Sequence, residues 1–553
     1  MPFLSATPVP TALRGFAAAH EHLVALNEEP LYLTSARHAP ARRVGIVSGG
    51  GSGHEPMHAG FLGAGMLDAA VPGAVFASPH NTQIYAASRA VAGADGVLHI
   101  VKNYTGDVIN FAIAAERLAA AGLDVATVLV DDDVATGADD TETGRRGTGA
   151  TVVVEKILGA AADAGLGLAE LAELGADVVQ RSRSVAVAAR AQTDGHTGDD
   201  AFELEPGHLE YGVGIHGERA AASIARPDFE DLIARMIDQV RADLPGDGDL
   251  LLFVNGLGAT TQLELLNVYA AAADHLTGAG ETVAARLVGS YVAALDMTGF
   301  SITMTRLRPE WAAYWEGPTA TPAFPATLAG TPAALETVAR RPAEAAEDTG
   351  ATGAPGAAAD HVDGRGDEVL RRFAELVEEN HSELTRLDQL AGDGDFGDNL
   401  RGGVRAAIDL MDNGSPGLAA AEAAFLDGVG GTSGPLLGLL FQRIRAAHSG
   451  ASADAPAAAW ARGTAEGCAA IQRVGGAEPG DRTIVDVLHP TAAALESGFA
   501  DGARAAADAA HATAELQARR GRASYVAGRG TGAPDAGAVG VALLFQAAAE
   551  VHS

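Results

Sequence analysis

Cysteine is almost missing from this chain: 553 residues contain one, Cys468. A single thiol excludes an internal disulfide and a cysteine-built zinc site. Basic residues are also short, 38 Lys plus Arg against 71 Asp plus Glu, for a formal net charge of −33. That field repels nucleic-acid phosphates and anionic lipid, so neither is expected as a partner. Small phosphorylated molecules stay open, because local basic groups or metal ions can neutralise them. Long apolar runs are absent too. GVLHIV (96–101) is typical, far short of the ~20 residues a membrane helix needs. The N-terminal MPFLSATPVPTALRGF carries prolines and no long apolar core, unlike a signal peptide. The expectation is a soluble, cytoplasmic protein.

What is present is globular: 47% hydrophobic and 20% charged residues. The length exceeds one ordinary core, so two or more domains are expected. The first ~330 residues read as α/β. RVGIVS (43–48), GVLHIV (96–101), DVATVLV (124–130) and DLLLFVNGLG (249–258) are strand-like; the helical stretch VINFAIAAERLAAAG follows the second and QLELLNVYAAAADHL the last. Strand, helix, strand at this spacing implies parallel βαβ crossovers. The acidic, glycine-rich stretch near 190–210 is expected to separate two α/β subdomains. Between roughly 331 and 366 the composition shifts: RRPAEAAEDTGATGAPGAAADHVDGRGD has almost no large apolar side chains and reads as a flexible linker, which at ~30 residues reaches roughly 30 Å. From 367 on, Val369, Phe373, Leu376 and Val377 recur at helical spacing, and the remainder reads as an all-α domain. The expected domains are 1–330, the linker 331–366, and 367–553.

The stretch VSGGGSGHEPMH (47–58) overlaps three signals. As H-E-x-x-H it would place two zinc-binding histidines one turn apart on a helix. Pro56 belongs only in a first helical turn, so a helix is expected from about Glu55 or Pro56, with His54 ahead of it. The zinc reading then fails. A dinucleotide fingerprint fails because Pro56 stands at its last glycine, and a P-loop fails because no lysine follows. What survives is a glycine loop at a helix start, able to hold an oxygen-rich ligand, with His54 as hydrogen-bonding group or base. The plain alternative is a tight turn with a capping histidine, and His58 reads as a bystander.

KNYTGD (102–107) puts Lys102 and Asp107 at a strand's carboxyl end, where open α/β sheets bind ligands; Asp107 reads equally as the cap of a helix from Val108. YGVGIHGE sets His216 among glycines, exposed, either a nucleophile or an ordinary loop histidine. In LDQLAGDGDFGDNL, Asp388, Asp393 and Asp395 gather three carboxylates across a glycine loop. Hard oxygen ligands suit Mg²⁺ or Ca²⁺; the alternative is a solvated acidic turn. GGTSGP (430–435), PGDRT (479–483) and GRASY (521–525) combine glycines and hydroxyls suited to phosphates. One half therefore holds a small polar molecule, and the other a metal and a nucleotide.

These strings together resemble the dihydroxyacetone (glycerone) kinases in their fused, ATP-dependent form, over nearly the whole chain. SGGGSGHEP, KNYTGD and GIHGE are similar to the substrate-binding K domain; LDxxxGDGD, GGTSG, GDRT and GRASY are similar to the nucleotide-binding L domain. The resemblance implies an L domain built as an eight-helix barrel. It implies a hemiaminal between His216 and a ketone carbonyl, with His54 and Asp107 as acid/base partners. Gly51, Ser52, Gly53, Ser78 and Lys102 would hold the substrate hydroxyls. Asp388, Asp393 and Asp395 would hold Mg²⁺ against the phosphates of ATP. The nucleotide would lie on Phe396, Gly397, Asp398, Asn399, Thr432, Ser433, Gly475, Ile484, Arg522, Asp535, Ala536 and Gly537. It implies a homodimer in which one subunit's L domain can cap the other's K domain. The implied substrate is dihydroxyacetone; the alternatives are L- or D-erythrulose, D-glyceraldehyde, or a role dependent on a phosphotransferase system. The chain departs from the family pattern at Arg219-Ala220, at Phe396, at His80, and in DAGA (535–538) where DPGA is usual.

Overall fold

The computed structural model describes residues 4–136, 144–193, 198–216, 222–325, 336–337, 365–391, 396–429, 432–449, 456–520 and 532–553. The chain divides into two compact units, Met1–Asp107 with Ala114–Glu344, and Ala345–Ser553 with Val108–Ile113. Among the described residues no helix is long and apolar enough to cross a membrane.

The first unit contains two six-stranded sheets. The first is built from β1 (Val24–Glu28), β2 (Leu31–Ser35), β4 (Gly45–Ser52), β5 (Ala69–Val75), β6 (Val97–Lys102) and β7 (Val125–Val130), in the order β1-β2-β5-β4-β6-β7. β5, β4, β6 and β7 run parallel, and the β1–β2 hairpin adds antiparallel at one edge. The helices α1 (Pro8–Ala19) and α2 (Asn81–Val91) belong to this half, as do the two ends of α3 (Thr105–Ala120) outside Val108–Ile113; α2 and α3 lie between strands of the sheet in sequence. The second sheet comprises β8 (Ser182–Arg190), β9 (His208–Tyr211), β10 (Ala222–Ala225), β11 (Leu250–Gly256), β12 (Val283–Gly289) and β13 (Thr298–Arg306), ordered β10-β9-β8-β13-β11-β12. A small pair joins β3 (Arg37–His38) to β14 (Glu336–Thr337), two residues inside the stretch read as a linker. Most of that stretch lies outside the described residues.

The second sheet already begins at Ser182, so the stretch near 190–210 does not divide the two sheets. It connects β8 to β9 within one sheet. The division falls earlier, at α4 (Ala150–Asp163) and α5 (Leu168–Gln180). In α4, ATVVVEKILGAA is buried on nearly every side, because the helix packs on β6 of the first sheet and on β8 and β13 of the second. β11 shows the matching period-two logic. Leu251 and Phe253 share a core with α4, while Leu250, Leu252 and Val254 face a second core under α6 (Phe229–Asp243) and α7 (Gln262–Gly278).

The second unit is all helix: α9 (Arg365–Ala391), α10 (Phe396–Asp412), α11 (Gly417–Gly428), α12 (Ser433–Ser449), α13 (Pro456–Gly475), α14 (Ile484–Leu495), α15 (Phe499–Ala512) and α16 (Ala536–His552). Each packs on the next in sequence, and α16 returns to α9, closing a ring. Gly438 lets α12 approach α11, since a Cβ there would sit 2.6 Å from the Leu426 nitrogen.

Among the buried charges of the first unit is a lysine in its framework. Lys156 of α4 donates to the carbonyls of Tyr314 (2.8 Å) and Gly317 (3.1 Å), which end the helix α8 (Pro309–Glu316). Burial lowers its ammonium from 10.5 to about 8. The unfolded chain therefore keeps this proton to higher pH than the folded one. Stability from this group rises as pH climbs from about 8 towards about 10. Urea midpoints across that range should show this rise, and Lys156→Met should abolish it; an identical slope in the variant would contradict the assignment.

Candidate functional site

The glycine stretch is strand, not loop. Gly49 to Ser52 are the last residues of β4 and are buried. No α-helix follows. Gly53 turns the chain with φ +103°, and the Glu55 carboxylate folds back to accept the Gly53 N–H at 3.0 Å. Only a three-residue 3₁₀ turn, Ala59–Phe61, forms afterwards. The physical reason lies in burial: Met57, Phe61 and Leu62 all enter the core while Glu55 stays exposed. The expected helix-end cradle is therefore not built. The glycines instead admit the protein's own groups: a Cβ on Gly50 would lie 2.2 Å from Lys102 Nζ, and one on Gly51 would lie 2.8 Å from the Phe76 Cα. Ser52 donates its hydroxyl to the Gly73 carbonyl at 2.8 Å. Ser78 stands half-buried in the segment between β5 and α2, and the His80 N–H donates to Gln83 Oε1 at the start of α2.

His54 is clamped by residues 293–295. Its carbonyl accepts the Ala293 N–H, the Gly53 carbonyl accepts the Leu295 N–H, and His54 Nδ1 donates to the Ala293 carbonyl at 2.7 Å. That bond fixes the proton on Nδ1 and leaves Nε2 with a lone pair. Burial holds the imidazole well below its ordinary 6.5, and the neighbouring His216 and Lys102 lower it further, so it is neutral near pH 7. Nε2 is buried and has no hydrogen-bond partner. Beside it lies His216, its ring centroid 4.7 Å from that of His54. The rings of Tyr104 (4.4 Å) and Phe76 (5.6 Å) wall His216 on other sides. His216 is thus half-buried, not exposed as expected, because three aromatic neighbours enclose it. Phe76 and Tyr104 were not singled out from sequence. Arg219 and Ala220 lie outside the described residues.

Lys102, the last residue of β6, is fully buried. Its ammonium donates to the Gly49 carbonyl at 2.8 Å and to His58 Nε2 at 3.0 Å, and pairs with Asp107 Oδ2 at 3.4 Å. Helix α3 starts at Thr105, so Asp107 is its third residue and not the cap of a helix from Val108. Asp107 Oδ1 is buried without a partner. His58, read as a bystander, is part of this cluster, and its Nδ1 meets Glu155 Oε1 at 2.5 Å. Glu155 was missed as well. Its signal was available, since a carboxylate interrupts the apolar run of α4.

In the second unit, alternation of neighbouring helices puts the last turns of α9, α11, α13 and α15 and the first turns of α10, α12, α14 and α16 at one rim. Most of the expected nucleotide residues stand there. Asp388 Oδ2 accepts the Phe396 N–H at 3.1 Å. Asp535 caps α16 by accepting the Ala538 N–H at 2.7 Å. A Cβ on Gly537 would meet Asp535 Oδ1 at 3.1 Å and Ile484 at 3.2 Å, so these three are neighbours. Ala536 begins α16, Thr432 and Ser433 stand at the start of α12, and Gly475 ends α13. Asp398 is held by His381 (3.0 Å) and Arg401 (2.5 Å), with Gly397 and Asn399 beside it in the first turn of α10. The Phe396 ring packs inward against Gly540. Burial pushes the Asp535 carboxyl up to about 6, and Asp388 and Asp486 push in the same direction. Asp393, Asp395 and Arg522 lie outside the described residues. Among those described, no group of three or more His, Cys, Asp or Glu side chains is set to hold a metal. Of the three expected ligands only Asp388 is described, and its carboxylate is an oxygen donor of the kind that suits a hard cation.

A two-part enzyme emerges, with a histidine pair in an α/β unit and an acidic rim on a helical ring. Residues 14–323 match the Dak1 domain and residues 390–550 the DAK2 domain. The chain is 35% identical over 569 residues to the L-erythrulose 1-kinase of Mycolicibacterium smegmatis, covering 98% of this chain and 97% of that one. It is 35% identical over 565 residues to the triokinase/FMN cyclase of Rattus norvegicus, with 98% and 96% covered. The crystal structure of the dihydroxyacetone kinase of C. freundii in complex with AMP-PNP and Mg²⁺ aligns over 100% of this chain and 99% of that one, at TM-score 0.55 and 28% identity. This is a kinase with its Dak1 and DAK2 parts fused in one polypeptide. The chain belongs to the dihydroxyacetone kinase family.

Gly50→Ala should separate folding from function. The intruding methyl meets the tip of a flexible lysine, so the fold should survive while the ammonium moves. A displacement of ~1 Å can cost about 100-fold in rate. Turnover within two-fold of the parent, with an unchanged melting temperature, would show that the space beside Gly50 is not needed by Lys102.

Proposed function

We propose that the chain transfers the terminal phosphoryl of ATP to a primary hydroxyl of a short ketose, dihydroxyacetone in the first instance, with residues 1–330 holding the ketose and 367–553 the nucleotide. The observation that carries this reading is the buried, unpartnered Nε2 of neutral His54 beside the half-buried ring of His216. A ring nitrogen of His216 adds its lone pair to the ketone carbon, the C=O π pair moves to oxygen, and the proton given up by the other ring nitrogen balances the one taken up at that oxygen, giving a neutral hemiaminal. A polyol offers no carbonyl to this step. Asp107 Oδ1 and His54 Nε2, both buried acceptors without partners, are suited to a substrate hydroxyl and its proton. The Tyr104 and Phe76 rings limit water around the adduct.

On the helical ring, Asp388, Asp393 and Asp395 would hold Mg²⁺, which when bound neutralises phosphate charge. The N-termini of α12 and α16 offer backbone N–H groups to phosphate oxygens, and the segment around Gly475 and Ile484 lines the same rim. The assembly that goes with this reading is a homodimer, which sedimentation equilibrium checks. A four-carbon ketose is the second reading, favoured by the 35% identity to an L-erythrulose 1-kinase.

A kinetic panel of dihydroxyacetone, D-glyceraldehyde and both erythruloses with Mg-ATP should give the highest kcat/KM to one of the ketoses; turnover of none of them by the purified chain would refute the reading. His216→Ala should lose the covalent ketose adduct in mass spectrometry while keeping nucleotide affinity. An adduct persisting in that variant would move the attachment elsewhere. Asp393→Ala should abolish Mg-ATP turnover, and normal activity would leave this loop a plain acidic turn.

A further inference from the structure

The second histidine of H-E-P-M-H has no part in the reaction as described, yet it is buried and bonded at both ring nitrogens. Its surroundings fix its chemistry. An ammonium has three protons and no acceptor. Around Lys102 Nζ stand three acceptors: the Gly49 carbonyl at 2.8 Å, His58 Nε2 at 3.0 Å and Asp107 Oδ2 at 3.4 Å. His58 can serve only as the tautomer with a lone pair on Nε2, so its proton must sit on Nδ1. That proton needs an acceptor in a dry site, and Glu155 Oε1 lies 2.5 Å away. The opposite tautomer would aim an N–H at the ammonium.

We propose that Glu155 and His58 form a positioning relay, in which Glu155 sets the tautomer of His58, His58 fixes the Lys102 ammonium, and Lys102 holds Asp107 with Oδ1 turned to the substrate hydroxyl. The last link rests on the ketose-kinase reading; the first two do not. Glu155 and His58 touch no reacting atom, so their effect is on placement. Lys102 and Asp107 sit at the carboxyl end of β6 and the first turn of α3, whereas Glu155 comes from α4, the helix packed against both sheets. The relay thus anchors the acid/base group to the best-buried helix of the unit. Burial raises the Glu155 carboxyl to about 8, and burial together with the Lys102 charge keeps His58 neutral. A neutral acceptor at position 155 is therefore enough, which makes glutamine a faithful replacement and leucine a disabling one.

The test uses the full chain and three proteins: the parent, Glu155→Gln and Glu155→Leu. Leucine suits an apolar helix interior but leaves Lys102 one acceptor short, so Glu155→Leu should stay folded with a lower melting temperature, while its kcat falls ten- to a hundred-fold and the KM for ATP stays within two-fold. Glu155→Gln should restore kcat to within about three-fold. Nitrogen-15 NMR of the histidines, assigned with a His58→Gln variant, should show the proton of His58 on Nδ1 in the parent and in Glu155→Gln, and not in Glu155→Leu. Parental turnover by Glu155→Leu, equal impairment of both variants, or a parental His58 protonated on Nε2 would each overturn the relay. If the parent itself phosphorylates no short ketose, the kinase reading fails, and the NMR tautomer still decides the relay.

Discussion

A lysine ammonium buried at the end of a strand has to find three acceptors, and much of the first unit is arranged around that requirement. Lys102 reaches them only because Gly50 has no side chain, because the chain after His54 turns back to deliver His58, and because Asp107 occupies the first turn of α3. Removing any one partner would leave a buried charge short of a bond, at a cost of several kcal/mol. The glycine stretch that suggests a ligand cradle in the sequence therefore has a different first duty, which is to make room for a cation of the protein itself.

The two units gather distant residues by different geometric rules. In the α/β unit, parallel strands end on one edge, so the tips of β4 and β6 lie side by side and the crossovers start from there. The second sheet then supplies residues 293–295, which pin His54. In the helical unit no sheet exists to do this. Strict alternation around a closed ring brings every second loop to the same rim, and the neighbouring carboxylates of Asp388, Asp486 and Asp535 follow from that alternation. Each unit thus collects its chemistry at one end of a repeating architecture.

Local patterns carried much of this in the sequence. The strands at 97–102, 125–130 and 250–256 and the first half of 45–52 coincide with apolar, β-branched runs, and the helical spacing from Val369 to Val377 marks α9 correctly. What was not legible depends on contacts between distant segments. The pairing of His58 with Glu155 joins positions 97 residues apart, and the Tyr104 and Phe76 walls of His216 are set by the packing of three loops. The misplaced helix after Gly53 has a local cause. Proline tolerance gave a start position, but the burial of Met57, Phe61 and Leu62 chose turns instead. The subdomain border was drawn at a polar stretch, whereas the true divide is the apolar helix α4, which composition alone does not mark as a boundary.

The ring of the second unit closes through α16 and α9, which stand at opposite ends of that unit's sequence. During synthesis, both sheets of the first unit emerge before any helix of the ring, while the ring must wait for α16 before its rim is complete. A nascent chain can therefore complete the cluster around His54 and Lys102 while the helical rim is still unbuilt. Contacts so far apart in sequence also form slowly. Ribosome stalling or loss of the last helix would leave the histidine cluster of the first unit whole and the rim of the second unfinished.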